Sequence, residues 1–276
     1  MTRLFYLLSF ACCVCVIPAC GPRRVALPTD TGTPFPDFAQ VHQMLSAACR
    51  GVRTLTAEIA LAGRAGPDKL RGRVQAGFTR PSAMRLEGVA PFGPPAFILV
   101  ARDRSATLVL PRESGVLRGA QADEILGALV GVALGPADVL AILTGCVVPD
   151  PKPAAGRLHQ GGWASISLMD GAELFLRRPA ATWQIRAARR NGWQIEYPDW
   201  NGQFPPVVRL ISDAQAVAVD VTASLSQIQA NTDLDAATLT AVDIPADARP
   251  VTLEQLRAAG PLRDAESKDS ALRGQK

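Results

Sequence analysis

The chain has 276 residues, 48% of them apolar, enough for a packed core in one large domain or two small ones. A net charge of only +4, with no block of lysine or arginine, is too mild to imply a nucleic-acid partner, and none is expected. Beyond residue 20 no stretch is long and apolar enough to be a membrane-spanning helix.

Arg3 is the one charge before Cys20, and an apolar run from Leu4 to Ile17 follows it. The run is too short to cross a bilayer and ends at Pro18-Ala19-Cys20-Gly21. This order resembles a bacterial lipoprotein signal: a positive start, a short apolar segment, a small residue, then a cysteine. The resemblance implies that residues 1–19 are cleaved as a signal peptide, that the Cys20 thiol carries a diacylglycerol and that its amine is acylated. A cleaved secretory signal with an incidental cysteine is the alternative. Six cysteines are present, of which Cys12, Cys13 and Cys15 leave with the signal. Beyond Cys20 only Cys49 and Cys146 remain. In an oxidising compartment they are expected to pair, with two separate buried thiols as the alternative.

Residues 20–36 hold Pro22, Pro28, Pro34 and Pro36 among threonines. This predicts an extended tether, roughly 50 Å at full stretch. A domain is expected over 37–261, and the charged, polar stretch 262–276 is expected to be disordered. Asp37 is expected to cap a helix running to Arg50, with Phe38, Val41, Leu45 and Ala48 as its apolar stripe and Gly51 as its end.

From Val52 the period becomes two. Leu55, Ala57, Ile59 and Leu61 alternate with polar residues, as do Leu70, Val74, Ala76 and Phe78, then Met84 and Leu86. Strands at 97–101 and 106–110 continue the pattern. Helical spacing returns at 122–130, with Ile125, Leu126 and Leu129 on one face. It continues at 136–144, with Val139, Leu140 and Leu143 apolar and Pro136 in the first turn. Residues 149–153 read as a linker. Six more strands are expected at 164–169, 172–177, 183–189, 193–197, 206–212 and 216–228, and a short helix near 253–258. Two separate halves would leave many exposed edges. One curved sheet of about eleven strands wrapped around the helices leaves fewer, which makes α+β the expected class.

Catalytic signatures are missing from the sequence. His42 and His159 have no ligand-spaced partner, and there is no phosphate loop, dinucleotide fingerprint or nucleophile elbow. Neither an enzyme nor a metal site is expected. Asp103, Asp123, Glu124 and Asp138 fall at turns and helix starts, where carboxylates cap backbone amides. Arg177, Arg178, Arg186, Arg189 and Arg190 are either solvated strand faces or a basic strip for anionic headgroups. The oddity is the connection Ala90-Pro91-Phe92-Gly93-Pro94-Pro95, an apolar sequence where turns are usually polar. Phe92 either folds back over the sheet or forms an apolar tip that touches lipid.

Several stretches together resemble the LolB family of outer-membrane lipoproteins. Residues 85–93, Arg-Leu-Glu-Gly-Val-Ala-Pro-Phe-Gly, resemble that family's strand ending in Asn-Pro-Leu-Gly. Residues 122–145 resemble its helix pair, and Asn191-Gly192-Trp193-Gln194-Ile195-Glu196-Tyr197 its Asn-x-Trp-x-Val-x-Tyr strand. The resemblance runs in order over about residues 52–225. It implies an open half-barrel of about eleven antiparallel strands lidded by short helices, around a cavity for acyl chains. It further implies that the chain accepts lipoproteins from a LolA-like periplasmic carrier and inserts them into the outer membrane, using Pro91, Phe92 and Gly93 as the insertion loop. Leu55, Ile59, Leu61, Val74, Phe78, Leu86, Phe97, Leu99, Leu108, Trp183, Ile195 and Val219 are the expected cavity lining. A monomer without cofactor or metal, anchored in the outer membrane and facing the periplasm, is expected; its partners are the bilayer, the carrier and the passengers. The long tether, the charged tail and the Cys49/Cys146 pair depart from the family. An envelope lipoprotein that binds another apolar ligand, or a structural scaffold, is the alternative.

Overall fold

The computed structural model describes residues 24–147, 152–212 and 218–259. The alternating stretches after Val52 form the middle of one sheet. In chain order the described residues form β1 (Thr33–Pro34), α1 (Phe38–Arg50), β2 (Thr54–Ala65), β3 (Asp68–Thr79), β4 (Ala83–Val89), β5 (Ile98–Arg102), β6 (Ser105–Leu110) and β7 (Gly115–Arg118). Helices α2 (Ala122–Val130) and α3 (Pro136–Leu143) come next. Then follow β8 (Pro153–His159), β9 (Trp163–Leu168), β10 (Glu173–Arg177), β11 (Gln184–Arg190), β12 (Trp193–Glu196), β13 (Val207–Ser212) and β14 (Val219–Ala230). The short α4 (Ala236–Thr240), β15 (Arg249–Pro250) and α5 (Leu253–Ala259) end the described chain.

These strands make one open sheet in the order β1-β8-β9-β10-β11-β12-β13-β14-β2-β3-β4-β5-β6-β7-β15. Pairing is antiparallel except between β15 and β7. Strand β14 returns to the middle and pairs with β2 from Val219–Ala65 to Ala230–Leu55. That pairing joins the strands before the helices to those after them, so the stretch at 149–153 does not divide two sheets. Residues 149–151 lie outside the described residues, as do 1–23 and the tail at 262–276.

The described residues hold fifteen strands, not about eleven. The four unforeseen ones lack the alternating signal. Three of the four residues of β7 are buried, so it does not alternate. Strand β8 begins at Pro153 and carries two alanines and a glycine, poor strand formers, with no regular burial pattern. Strands β1 and β15 are two residues each, contain proline and sit at the sheet edges, where proline is tolerated.

The stretch expected as a free tether lies along the sheet from Arg24 onward. The Val25 N–H donates to Glu196 Oε2 at 3.1 Å. The Asp30 carboxylate lies 3.0 Å from His159 Nδ1. Phe35 is buried, its N–H donates to the Gly156 carbonyl, and its ring meets that of Trp183 with centroids 5.4 Å apart. Asp37 also differs from expectation: its side chain caps nothing, and its carbonyl accepts the Val41 N–H instead.

Helices α2 and α3 lie over one face of the sheet. Their buried residues Ile125, Leu126, Leu129, Leu140, Ile142 and Leu143 share one core with Ile59, Val74, Leu86 and Leu99. The Glu124 carboxylate accepts the Gln121 N–H at 2.8 Å at the start of α2. The far end of α3 is held twice. Cys146 is joined by a disulfide to Cys49 at the end of α1, with Cα atoms 5.3 Å apart. The buried Tyr197 hydroxyl donates to the Ile142 carbonyl at 2.9 Å, and burial pushes that phenol's pKa well up.

Candidate functional site

A cavity of about 110 Å³ lies between the helix pair and strands β13, β14, β2, β3 and β4. Its sixteen lining residues are all apolar. Ile59, Leu61, Val74, Leu86 and Phe97 form much of its floor. Leu126, Leu129, Val139, Ile142 and Leu143 roof it, and Val132 and Leu134 close it from the α2–α3 connection. A dry apolar void of roughly 150 Å³ takes a benzene-sized guest. The present cavity is somewhat smaller than that.

Five expected lining residues meet at this cavity: Ile59, Leu61, Val74, Leu86 and Phe97. The other seven lie elsewhere. Leu55, Phe78, Leu99 and Leu108 are at most 1% exposed and fill the packed core. Leu55 and Phe78 pair with each other at the opposite end of the β2–β3 hairpin, and Leu99 and Leu108 pair on β5 and β6, beside the cavity strands. Trp183 lines a separate cleft beside the disulfide, with Trp200. Ile195 lines a polar recess with Asp138 and Arg190. Val219 is buried near Gly131 at the end of α2. The physical reason is that period two tells which face a residue takes, not how far along the strand a helix covers it. The helical lining residues carried a signal in their apolar stripes, but nothing local said which strands they cover.

The connection from β4 to β5 carries the second feature. Phe92 is 88% exposed, and Pro91, Gly93 and Pro94 are exposed beside it. The loop is pinned by one side chain while its tip is bare. Gly93 adopts a left-handed backbone, φ 76°. The Arg112 guanidinium donates to the Pro94 carbonyl at 3.2 Å and also to that of Phe92. Five residues after this tip the Phe97 ring turns inward against Gly88, where a Cβ would stand 2.5 Å from the ring.

Several charged groups elsewhere are engaged by neighbours. Arg209 holds both oxygens of Asp220 at 2.7 Å, which keeps that carboxyl below its ordinary range. Arg177, Arg178 and Arg189, read from sequence as solvated strand faces or a basic strip, lie over the rings of Trp163, Trp183 and Phe175. His42 is buried on α1, which lowers its imidazole pKa, and among the described residues its Nε2 has no hydrogen-bond partner.

No protein-family model matches the sequence. No curated protein matches it either. Among solved structures the chain is similar to a DUF1329 family protein from Desulfovibrio piger, with 11% identity, a TM-score of 0.49, and 73% of this chain and 95% of that one covered. It is also similar to a LolA superfamily protein from Nitrosomonas europaea, with 12% identity, a TM-score of 0.47, and 72% and 97% covered. On its own geometry the chain is an α+β protein: one large, open, mostly antiparallel sheet with a few short helices on it.

Proposed function

We propose that this chain is a lipid-anchored acceptor of the bacterial envelope, LolB-like in fold and role. It takes acylated lipoproteins from a LolA-like periplasmic carrier and inserts them into the outer membrane. The observation that carries the reading is a wholly apolar cavity roofed by a helix pair, beside a pinned loop that displays a bare phenylalanine. Transferring a lipid tail needs no bond to be made, only shielding at about 0.8 kcal/mol per methylene. No catalytic role is therefore assigned. In this reading the connection at 131–135 lifts, an acyl chain enters over Leu61 and Leu86, and Phe92 dips into the bilayer to guide release. Cys20 carries the anchor, and Pro91 and Gly93 shape the tip.

Transfer of a labelled lipoprotein from a carrier to the chain made without its lipid tests this. A complex recovered with the label supports the reading. Label that stays on the carrier at every ratio defeats it. The small cavity favours one second reading, in which a single-chain lipid or another small apolar molecule is the ligand. Competition by a single-chain fatty acid, with no transfer of lipoprotein, would select it.

A further inference from the structure

We infer that the N-terminal strap makes one end of the sheet the membrane-facing end, so that the anchor and Phe92 meet the same bilayer surface. This rests on the reading that Cys20 carries the lipid, but its geometry comes from the described residues. Strand register puts several connections at one end: Ala65 to Asp68, Val89 to Ile98, Arg190 to Trp193, and Ser212 to Val219. The Phe92 loop is one of these. Arg24 lies at that end too, its guanidinium 3.9 Å from Asp220 near the start of β14. It shares a recess there with Asn191, Gly192 and Ser212.

From Arg24 the strap crosses the sheet through Val25 on Glu196 and reaches the last residue of β8 through Asp30 on His159. Its docking consumes the length that a free tether would offer. Four steps of chain separate Cys20 from Arg24, at most about 14 Å. Arg24 sits by β12 to β14 and the Phe92 loop follows β4, three strand spacings from β14 and five from β12, roughly 15–25 Å. A twelve-residue strand such as β2 is about 40 Å long. The turn at Asp103 and Arg104 lies at the opposite end, level with Thr54 through the pairings of Met84 with Ala101 and Thr54 with Thr79. Acyl chains on Cys20 therefore hold the Phe92 end against the lipid and the Arg104 end away from it. The occupant of that end is the bilayer into which the anchor itself inserts.

The test uses the mature chain starting at Cys20. With Cys49 and Cys146 joined, Cys20 is its one free thiol, so it couples to a maleimide lipid in phospholipid vesicles. Tryptophan is placed at one end by Phe92→Trp and at the other by Arg104→Trp, with bilayer-borne doxyl lipid as quencher and the parent protein, which carries the four native tryptophans, as the background subtracted from both. Several-fold stronger quenching of the Phe92→Trp protein supports the proposal. Equal quenching of both, or of neither, overturns it; the latter would leave that end to a protein partner. A second protein carries about 20 Gly/Ser residues inserted after Gly21, which adds a mean reach of roughly 25 Å. The contrast should shrink towards one. An unchanged contrast would overturn the role of the strap. Coupling does not depend on acylation in the cell, so intact mass of Cys20 from envelope-purified protein separately tests the anchor.

Discussion

Phe92 and Phe97 stand in one connection, yet Phe92 is 88% exposed and Phe97 only 1%. Burying a phenylalanine is worth about 1.5–3 kcal/mol, so a bare one forgoes a real gain. The backbone between them explains the split. Pro91, Pro94 and Pro95 cannot donate to a ladder, Gly93 takes a left-handed turn, and Arg112 pins the loop from the β6–β7 turn. Gly88 then leaves room for Phe97 to fold in beneath. One ring belongs to the packed core and the other stands in solvent. In the proposed function this exposed apolar tip is the part that meets the bilayer.

The largest effect that can break this contrast is expected at the inner ring. Phe97→Ala should cost about 3–5 kcal/mol in urea unfolding, because it removes buried area and enlarges the cavity. A loss below about 1 kcal/mol would mean that the floor of the cavity is loose. Next comes the disulfide. Replacing Cys49 and Cys146 together by serine should cost about 2–5 kcal/mol, since it frees a chain separation of 97 residues. Calorimetry of the two forms would show it. Tyr197→Phe should cost about 1 kcal/mol, through the lost hydrogen bond to Ile142 that pins α3. If that pin limits opening, uptake of a fluorescent fatty acid should quicken in the same variant.

Acid should act more weakly. Asp220 has its pKa lowered from 3.8 by the Arg209 hydrogen bond, against the opposing pull of burial. A depressed carboxyl stabilises the fold fully above its ordinary value and loses that contribution as pH falls through its folded value. The urea midpoint should thus fall below about pH 3.8, and Asp220→Asn should flatten that fall. The smallest change in stability is expected at the outer ring. Phe92→Glu should shift unfolding by no more than about 0.5 kcal/mol. It should nevertheless abolish delivery of a lipoprotein into vesicles, and unaltered delivery would remove Phe92 from the mechanism.

Some of this was legible in residue order. Alternation from Leu55 to Leu86 marks strands because every second side chain shares a face. The stripes at Ile125, Leu126 and Leu129, and at Val139, Leu140 and Leu143, give the helix pair because residues three and four apart share one side. Elimination of the other cysteines left Cys49 and Cys146 to be joined, and they are. The odd composition around Phe92 also stood out, since proline and glycine dictate backbone shape locally.

What local pattern could not carry was everything set by a distant neighbour. Strand β8 reads as weak sequence and exists because β9 and β1 pair with it. The segment from Arg24 to Phe35 reads as a tether and is docked because Glu196, His159 and Trp183 wait for it more than a hundred residues later. The cavity gathers Leu86, Leu129 and Val221 from three separate elements. Sequence alone determined the central strands and the helix pair and singled out the apolar connection around Phe92, because those follow from residues a few positions apart. Only the tertiary structure decided that Phe97 closes a cavity and that Arg24 and Phe92 share an end, because both depend on strand register, fixed by side chains packing across the whole sheet.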